Sequence, residues 1–283
     1  MLYVVNYACG EPYESYRKIN SRTAKWFGKA DKVIEYSSKD IPQSYKDAHK
    51  EIFAYKRGVG LWLWKPYIIN DALAKINNGD WLFYSDAGAL FIKDIHKLVS
   101  AALQAKTDIM LFEQPLLHRQ FTKKETMVNM NVDDIGSNQT LGILLIQKTD
   151  HSTSILAEWL ANCEIERNIS PKKFDENIKD FEDFISHRED QSILSTLRIK
   201  YNLEVFRDPS DYGEMPFLYC FKNITYNPLQ YENSHYPTVM LCSRNVNPIK
   251  YLIVYYIRKI LLSLGLFYTE EKRIKNAPVL QNK

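Results

Sequence analysis

The chain has 283 residues, of which 45% are hydrophobic and 25% charged; this composition excludes global disorder and indicates one large domain or one domain with appendages. Its 37 lysines and arginines exceed its 34 acidic residues by only three. That net charge is too small to indicate nucleic acid as the main partner.

Four cysteines are spread along the chain: Cys9, Cys163, Cys220 and Cys242. No two of them form a CxxC pair, so we expect reduced thiols rather than disulfides. The first residues contain neither the basic stretch nor the long apolar run of a secretory signal. We therefore expect a cytoplasmic protein.

Short apolar runs alternate with amphipathic stretches in the first part of the chain. The pattern predicts strands at residues 2–7, 32–36, 81–84 and 109–112, separated by helices, one of which extends from about residue 43 to residue 56. Such an alternating order predicts an α/β fold, with a mostly parallel, open sheet and helices on both faces. Ligands on such sheets bind beyond the carboxyl ends of the strands, so polar residues at those ends are of special interest.

The rest of the chain is less regular. Residues 113–138 are polar and irregular, which predicts a long active-site or acceptor loop. Further predicted elements are a strand at 141–147, helices at 155–163 and 192–200, and short strands near 203–206, 217–221 and 238–242. We expect a main domain at residues 1–245 and a helical segment at 246–283.

The tetrapeptide Ser85-Asp86-Ala87-Gly88 directly follows the apolar strand at 81–84. A carboxylate there would lie at the sheet edge, beside small neighbours that leave room for a bulky ligand. Hard divalent cations bind carboxylate oxygens and bridge them to phosphates, so Asp86 is a candidate metal ligand for a nucleotide diphosphate. The alternative is a turn in which this carboxylate accepts hydrogen bonds from nearby backbone N–H groups.

The segment from Lys56 to Tyr67 combines two glycines, two tryptophans and three cations. It lacks the GxxxxGK[ST] spacing of a P-loop and the GxGxxG spacing of a dinucleotide-binding site. Arg57 and Lys65 are candidate phosphate contacts, because guanidinium and ammonium groups bind phosphate. The alternative is a loop that enters a helix near Pro66, with the tryptophans in the core.

These segments resemble motifs of bacterial GT-A glycosyltransferases that build surface polysaccharide. The similar stretches are Gly58-Val59-Gly60-Leu61-Trp62-Leu63-Trp64-Lys65-Pro66, Tyr84-Ser85-Asp86-Ala87-Gly88 and His187-Arg188-Glu189-Asp190-Gln191-Ser192. The third is also similar to the DQ element of glycogenin-like retaining transferases. The resemblance covers residues 2–210. It implies a GT-A fold, a nucleotide-diphosphate sugar donor and a glycan or lipid-linked glycan acceptor.

The resemblance also implies a divalent cation, manganese or magnesium, because Asp86 stands where the family's metal-binding DXD motif lies. Ala87-Gly88 replaces the second half of that motif. Either one Asp, water and the diphosphate hold the ion, or basic residues replace it. His235 stands where the family recruits a late metal ligand, or it is structural.

Asp190 and Glu189 are the carboxylates implied for catalysis. Glycosyl transfer needs a carboxylate to deprotonate the acceptor hydroxyl or to stabilise an oxocarbenium-like centre. In the alternative interpretation Asp190 only caps the helix that it opens. The DQ resemblance favours retention over inversion of the anomeric centre without deciding between them.

The remaining donor-binding residues follow from the same resemblance. Asn6, Tyr7 and Ala8 end the first strand, where the base and ribose bind in this fold. The further expected donor contacts are Arg57, Lys65, Ser85, Ala87, Gly88 and Gln191.

We expect a glycosyltransferase of surface-polysaccharide synthesis, and two alternatives stay open. One is a catalytically inactive module of the same fold that binds a glycan or a nucleotide. The other is a metal-dependent phosphohydrolase that uses Asp86, Glu189 and Asp190. The sequence disfavours the second alternative, because it has no dense cluster of carboxylate and histidine ligands for two metals.

Residues 249–268 are apolar and aromatic, but Arg258 and Lys259 lie at their centre. Charges in that position disfavour a membrane-spanning helix. The segment is either an interfacial anchor on the inner face of the cytoplasmic membrane or a terminal helix docked on the core.

Overall fold

The computed structural model describes residues 1–220, 224–243 and 246–266. Its main sheet has six strands in the order β2-β1-β3-β6-β5-β7. These strands are β1 (Leu2–Tyr7), β2 (Lys32–Tyr36), β3 (Trp81–Tyr84), β5 (Ile109–Leu117), β6 (Asn138–Gln147) and β7 (Val205–Arg207). Only β6 runs against the others, pairing antiparallel with β3 and β5. A second, antiparallel sheet joins β4 (Ala89–Phe91) to β8 (Met240–Cys242).

The described part of the chain contains thirteen α-helical segments. They are α1 (Tyr13–Trp26), α2 (Gln43–Ala48), α3 (Lys50–Phe53), α4 (Gly58–Leu61), α5 (Trp64–Lys75), α6 (His96–Ala105), α7 (His118–Phe121), α8 (Lys124–Asn129), α9 (Asp150–Cys163), α10 (Glu166–Ile169), α11 (Glu189–Lys200), α12 (Asp211–Glu214) and α13 (Pro248–Ser263). Two 3₁₀ helices cover Ser38–Asp40 and Pro216–Tyr219.

Hydrophobic cores lie on both faces of the main sheet, because successive residues of a strand point to opposite sides. Tyr3 and Val5 of β1 pack on one side in a core that includes side chains of α5, α9 and α11. Leu2 and Val4 pack on the other side with residues of α1, α6 and the second sheet. The predicted α/β fold, with its mostly parallel open sheet between helices, is confirmed.

The predicted loop at 113–138 is wrong. Residues 109–117 form one strand, and α7 and α8 follow it. Most polar side chains from residue 113 to 126 are buried, although others further on, such as Asp133, are exposed. The imidazole of His118 lies 3.1 Å from both Gln139 Oε1 and Thr196 Oγ1, and its burial lowers its pKa to about 4. Polarity alone therefore misidentified a structured segment.

Two smaller expectations also need correction. The helix expected from residue 43 to 56 is divided at His49 into α2 and α3. The short strand expected near 217–221 is a 3₁₀ helix at Pro216–Tyr219, since a proline at its start lacks the N–H that a strand ladder needs. Residue 221 lies outside the described residues.

The predicted terminal helix is present as α13, and its inner side docks on a small core. Tyr251 and Tyr255 pack there with residues that include Leu90, Met215 and Leu241. Residues 267 and 268 of the expected segment lie outside the described residues. Among the described residues, no helix combines the length and apolar character needed to cross a membrane.

Candidate active site

Two cavities adjoin each other beyond the carboxyl ends of β1 and β3. Their volumes are about 360 and 370 Å³. We call them the first and the second cavity. Trp62, Asp86 and Cys242 line both. A ligand in one cavity can therefore come close to a ligand in the other, and Asp86 stands at the junction.

The first cavity is mostly apolar and aromatic. Tyr7 and Trp64 stack in its wall, with ring centroids 3.8 Å apart and an interplanar angle of 17°. Among the described residues that line it, Asp86 is the only one with a charged side chain. Such a cavity suits a flat, uncharged group that stacks on aromatic rings, with a polar end directed at Asp86.

Asp86 follows β3 in a short turn, and its side chain is 60% exposed. The Tyr84 hydroxyl donates a hydrogen bond to its Oδ1 at 2.9 Å. The ammonium of Lys65 lies 4.0 Å from the same oxygen. The carboxylate is thus oriented by two neighbours while it stays open to a ligand.

The segment from Gly58 to Trp62 forms a left-handed turn in the shared wall. All five of its residues have positive φ, from 53° at Val59 to 90° at Gly60. A left-handed conformation costs about 1–2 kcal/mol for each residue other than glycine. A Cβ atom on Gly58 would lie 2.3 Å from the Trp62 ring, so only glycine fits under it. The Trp64 indole fixes the turn by donating to the Gly58 carbonyl at 2.8 Å.

A buried ion pair joins Lys65 to Asp190 in the second cavity. Their side chains are 7% and 4% exposed, and Nζ lies 3.0 Å from Oδ2. Burial raises the pKa of the Asp190 carboxyl, and the ammonium opposes that shift. For the ammonium itself, burial lowers the pKa, but Asp190 and Asp86 outweigh it and the pKa is raised. Lys65 therefore stays charged between two carboxyl groups.

Gly142 of β6 makes room for this pair. A Cβ atom at this position would lie 2.7 Å from Lys65 Nζ and 3.7 Å from Asp190 Oδ2. The first distance is shorter than real Cβ contacts allow. A glycine inside a strand often marks a close approach of another group, and here that group is the ammonium.

Glu189 forms the second ion pair of the cavity. The Arg57 Nε donates to its Oε1 at 2.6 Å, across 132 residues of sequence. The Glu189 side chain is 4% exposed, while that of Arg57 is 59% exposed. Burial raises the pKa of the Glu189 carboxyl, and the hydrogen bond from Arg57 opposes the shift. The φ of Glu189 is +43°, an unusual value that turns the chain into α11.

Arg188 and Gln191 complete this part of the wall. Arg188 donates to Gln114 Oε1 at 2.8 Å, and its guanidinium lies 3.9 Å from the centroid of the Phe121 ring. The Gln191 amide donates to the Thr140 carbonyl at 2.5 Å. These contacts fix both side chains beside the two carboxyl groups.

The structure brings most of the predicted site residues to the two cavities. The first cavity is lined by Tyr7, Ala8, Asp86, Ala87 and Gly88. The second is lined by Arg57, Lys65, Asp86, Glu189, Asp190 and Gln191. The three sequence motifs therefore meet at one place in the fold.

Three predicted site residues lie elsewhere. Asn6 and Ser85 are fully buried, and both hydrogen-bond to Asn20, so their side chains fix the base of the site instead of lining it. His235 is exposed and belongs to neither cavity lining.

Several lining residues were missed by the sequence analysis. Asp208 lies in the second cavity directly after β7, and it accepts a hydrogen bond from the Tyr219 hydroxyl at 2.7 Å. Its position after a predicted short strand was a usable signal. Gly142, a glycine inside the strand predicted at 141–147, was a second usable signal. Cys242 gave no signal, because the tertiary fold alone brings it beside Asp86.

A divalent cation at the junction of the two cavities would find one exposed carboxylate, that of Asp86, because those of Glu189, Asp190 and Asp208 are buried. The described residues contain no group of three or more His, Cys, Asp or Glu side chains that could hold a metal. Magnesium is often bound by one or two carboxylates together with substrate phosphates. Asp86 is open to the first cavity and can supply one such oxygen, so the donor set fits an ion that is shared with a diphosphate.

No protein-family model matches the chain, and no curated protein matches it in sequence. Solved structures of glycosyltransferases are similar to it. A galactosyltransferase, LgtC, in complex with donor and acceptor sugar analogues is 13% identical, with 96% of this chain and 99% of that chain covered and a TM-score of 0.49.

Two further glycosyltransferase structures are similar to the chain. Mouse xyloside xylosyltransferase 1 in its apo form is 9% identical, with 88% of this chain and 99% of that chain covered and a TM-score of 0.43. A glycosyltransferase involved in the glycosylation of the major capsid of PBCV-1 is 8% identical, with 90% and 98% covered and a TM-score of 0.42. At identities this low the likeness says nothing of the substrate.

Proposed function

We propose that the chain is a GT-A glycosyltransferase that moves a sugar from a nucleotide-diphosphate sugar to a glycan or glycolipid acceptor in bacterial surface-polysaccharide synthesis. The observation that carries the proposal is the junction of two cavities at Asp86. A transferase must hold two substrates in contact, whereas a hydrolase needs one pocket and water. The convergence of three distant motifs on this junction supports the same conclusion.

The first cavity is proposed to bind the nucleoside of the donor. Its aromatic walls at Tyr7 and Trp64 suit a base and a ribose, and Asp86 lies where the diphosphate would follow. The second cavity would then hold the transferred sugar and the acceptor. We assign residues 1–245 to this catalytic domain and propose a cytoplasmic location, which the four free thiols support.

In the proposed reaction, an acceptor hydroxyl oxygen forms a bond to the anomeric carbon of the donor sugar. The bond from that carbon to the diphosphate oxygen breaks, and its electron pair leaves with the diphosphate. A carboxylate of the second cavity, Asp190 or Glu189, either takes the hydroxyl proton or stabilises positive charge on the sugar while the leaving diphosphate takes that proton. A divalent cation shared with the diphosphate at Asp86 would supply further charge compensation to the leaving group.

Lys65 and Arg57 have two roles in this proposal. Each forms an ion pair with one of the two carboxyl groups and opposes the rise in its pKa that burial causes. Each also places positive charge in the cavity where negative charge develops on the leaving group. Such preorganised charge stabilises the transition state more strongly away from bulk water.

A thermal-shift and transfer experiment tests the proposal. Wild type, Asp86→Ala and the control Asp133→Ala, which removes an exposed carboxylate outside the lining of both cavities, are heated with UDP, GDP and CDP, with and without manganese. A nucleotide at a hundred times its dissociation constant stabilises by about 2.7 kcal/mol. We expect one nucleotide to stabilise wild type and the control, and Asp86→Ala to lose most of that stabilisation.

The alternatives are distinguished when the same proteins are also incubated with the sugar derivatives of these nucleotides and with simple phosphate esters. Stabilisation by a nucleotide without release of nucleotide from any sugar donor would indicate an inactive binding module. Phosphate release from simple phosphate esters would indicate a phosphohydrolase. No stabilisation by any nucleotide would contradict the donor site itself.

A further inference from the structure

Among the described residues, helix α13 packs on the rest of the protein through the side that carries Tyr251 and Tyr255. The Tyr251 hydroxyl donates to Asp211 Oδ2 at 2.5 Å, and the Tyr255 hydroxyl donates to Glu214 Oε2 at 2.6 Å. Both rings are buried, at 9% and 2% exposure. These contacts orient the helix, so the direction of its opposite side is fixed as well.

The opposite side of α13 is apolar and exposed. We call it the outer face of α13, defined by Ile249, Ile253, Ile257, Ile260 and Leu264. Their spacing of three or four residues places them on one side of a helix. Their exposed fractions are 48, 57, 51, 59 and 62%. A contiguous exposed apolar surface of this kind marks an interaction site, whereas single exposed apolar side chains are ordinary on a protein surface.

The charge of the helix and of the sequence that follows it indicates what this face contacts. Helix α13 contains no acidic residue, and Lys250 is exposed beside the outer face, whereas Lys259 forms an ion pair with Glu214 on the inner side at 2.8 Å. Seven of the 37 lysines and arginines of the chain lie in residues 246–283, with only two of its 34 acidic residues. This terminal stretch therefore carries a net charge of +5, while the remaining 245 residues carry −2.

We propose that the outer face of α13 docks on the surface of an anionic lipid bilayer. An apolar helix face within a stretch of sequence that carries a net positive charge gives the two signals that stable peripheral binding requires. The isoleucines enter the boundary between head groups and acyl chains, and the basic residues contact anionic head groups. The helix lies in the plane of the membrane, because its inner tyrosines stay bonded to α12.

This docking places the second cavity near the lipid. Asp211, which accepts the hydrogen bond from Tyr251, also accepts one from the backbone N–H of Cys242 at 3.0 Å. Cys242 and the neighbouring Tyr212 line the second cavity. One residue of α12 thus connects the docking helix to the cavity wall. The membrane proposal itself does not depend on the proposed transferase activity.

Vesicle flotation of the full chain tests the proposal. The vesicles are phosphatidylcholine alone or phosphatidylcholine with phosphatidylglycerol. The variants are Ile253→Glu/Ile257→Glu on the outer face and Ile135→Glu, a control isoleucine of similar exposure, 59%, outside α13. We expect wild type and the control to float with the anionic vesicles, less so in high salt. The double variant should lose binding by roughly tenfold or more, since burying one isoleucine is worth at least that factor.

Three results would overturn the proposal. Wild type that binds neither kind of vesicle contradicts it, and so does a double variant that binds as wild type does. A wild-type dimer in light scattering that the double variant converts to a monomer would identify the face as a self-association interface instead. An unfolding temperature near that of wild type for the double variant, expected because both side chains are exposed, establishes that any lost binding is not due to misfolding.

Discussion

The first and the second cavity have nearly equal volumes and share Asp86, but they are built differently. Asp86 is the one charged side chain in the described lining of the first cavity, whereas three cations and three further acids line the second: Arg57, Lys65, Arg188, Glu189, Asp190 and Asp208. Stacked rings shape the first cavity, and mutually compensating buried charges shape the second.

This difference predicts different responses to substitution. Substitution of an aromatic residue in the wall of the first cavity removes contact area with the ligand, so ligand binding weakens while the fold tolerates the change. A buried charge that loses its partner remains in a low dielectric without compensation, which destabilises the folded protein itself. Changes in the second cavity should therefore lower stability as well as activity, and changes at Asp86, which is largely exposed, should lower ligand binding alone.

The largest expected effect is that of Lys65→Met. The substitution leaves the Asp190 carboxyl buried without its ammonium partner, and breaking a buried pair in this way costs about 3–5 kcal/mol. Urea unfolding measures the loss. The double variant Lys65→Met/Asp190→Leu removes both charges and should recover much of the stability, but none of the transfer activity. A single variant as stable as wild type would mean that the ion pair of Lys65 and Asp190 does not stabilise the fold.

A smaller effect is expected from Gly142→Ala. The added Cβ would lie 2.7 Å from Lys65 Nζ, so the ammonium must move away from Asp190. The atom that the new Cβ meets is the end of a flexible side chain, so the stability cost should lie near the low end of the usual overpacking range, at about 1 kcal/mol. The displaced ammonium should also lower the transfer rate. Gly136→Ala is the matched control, because a Cβ atom there meets nothing within 4 Å. Equal stability and activity of the two alanine variants would show that the room beside Lys65 is not needed.

Most of the sheet could be predicted from the sequence, because its strands are short apolar runs bounded by turns. The strands at 2–7, 32–36 and 81–84 begin and end as expected. The error at 113–138 has a physical cause: polar residues there, such as His118 and Gln120, are buried with tertiary partners. A pattern of polarity cannot distinguish a buried hydrogen-bonded residue from one in a solvated loop.

Site residues that lie in a local sequence motif could be predicted. Contacts that only the tertiary fold creates could not. Asp86, Lys65 and Asp190 were identified from local sequence, but their ion pairing joins residues far apart in the chain. Ser85 illustrates the opposite error, since a motif position proved to be a buried support for the turn. Side-chain direction, set by the strand pleat and by tertiary packing, decides such cases.

The smallest expected effect is that of Arg57→Gln, which should change the pH dependence of the second cavity but not that of the first. Arg57→Gln removes the guanidinium that opposes the rise in the pKa of Glu189, so burial should raise that pKa further. Because the guanidinium is exposed, the stability change should stay within about 0.2–1 kcal/mol. A carboxyl with a raised pKa contributes stability at low pH that is lost as pH rises beyond its unfolded value of about 4.3. The stability of the variant should therefore fall further below that of wild type as pH rises from about 4.3 through the raised pKa of Glu189 in the folded protein. The acid limb of the pH profile of the transfer rate should move to higher pH, whereas nucleotide binding in the first cavity should keep the pH profile of wild type.

Arg119→Gln, which breaks an ion pair with Asp183 outside both cavity linings, is the control. An acid limb that moves equally in both variants would assign the effect to overall charge rather than to Glu189.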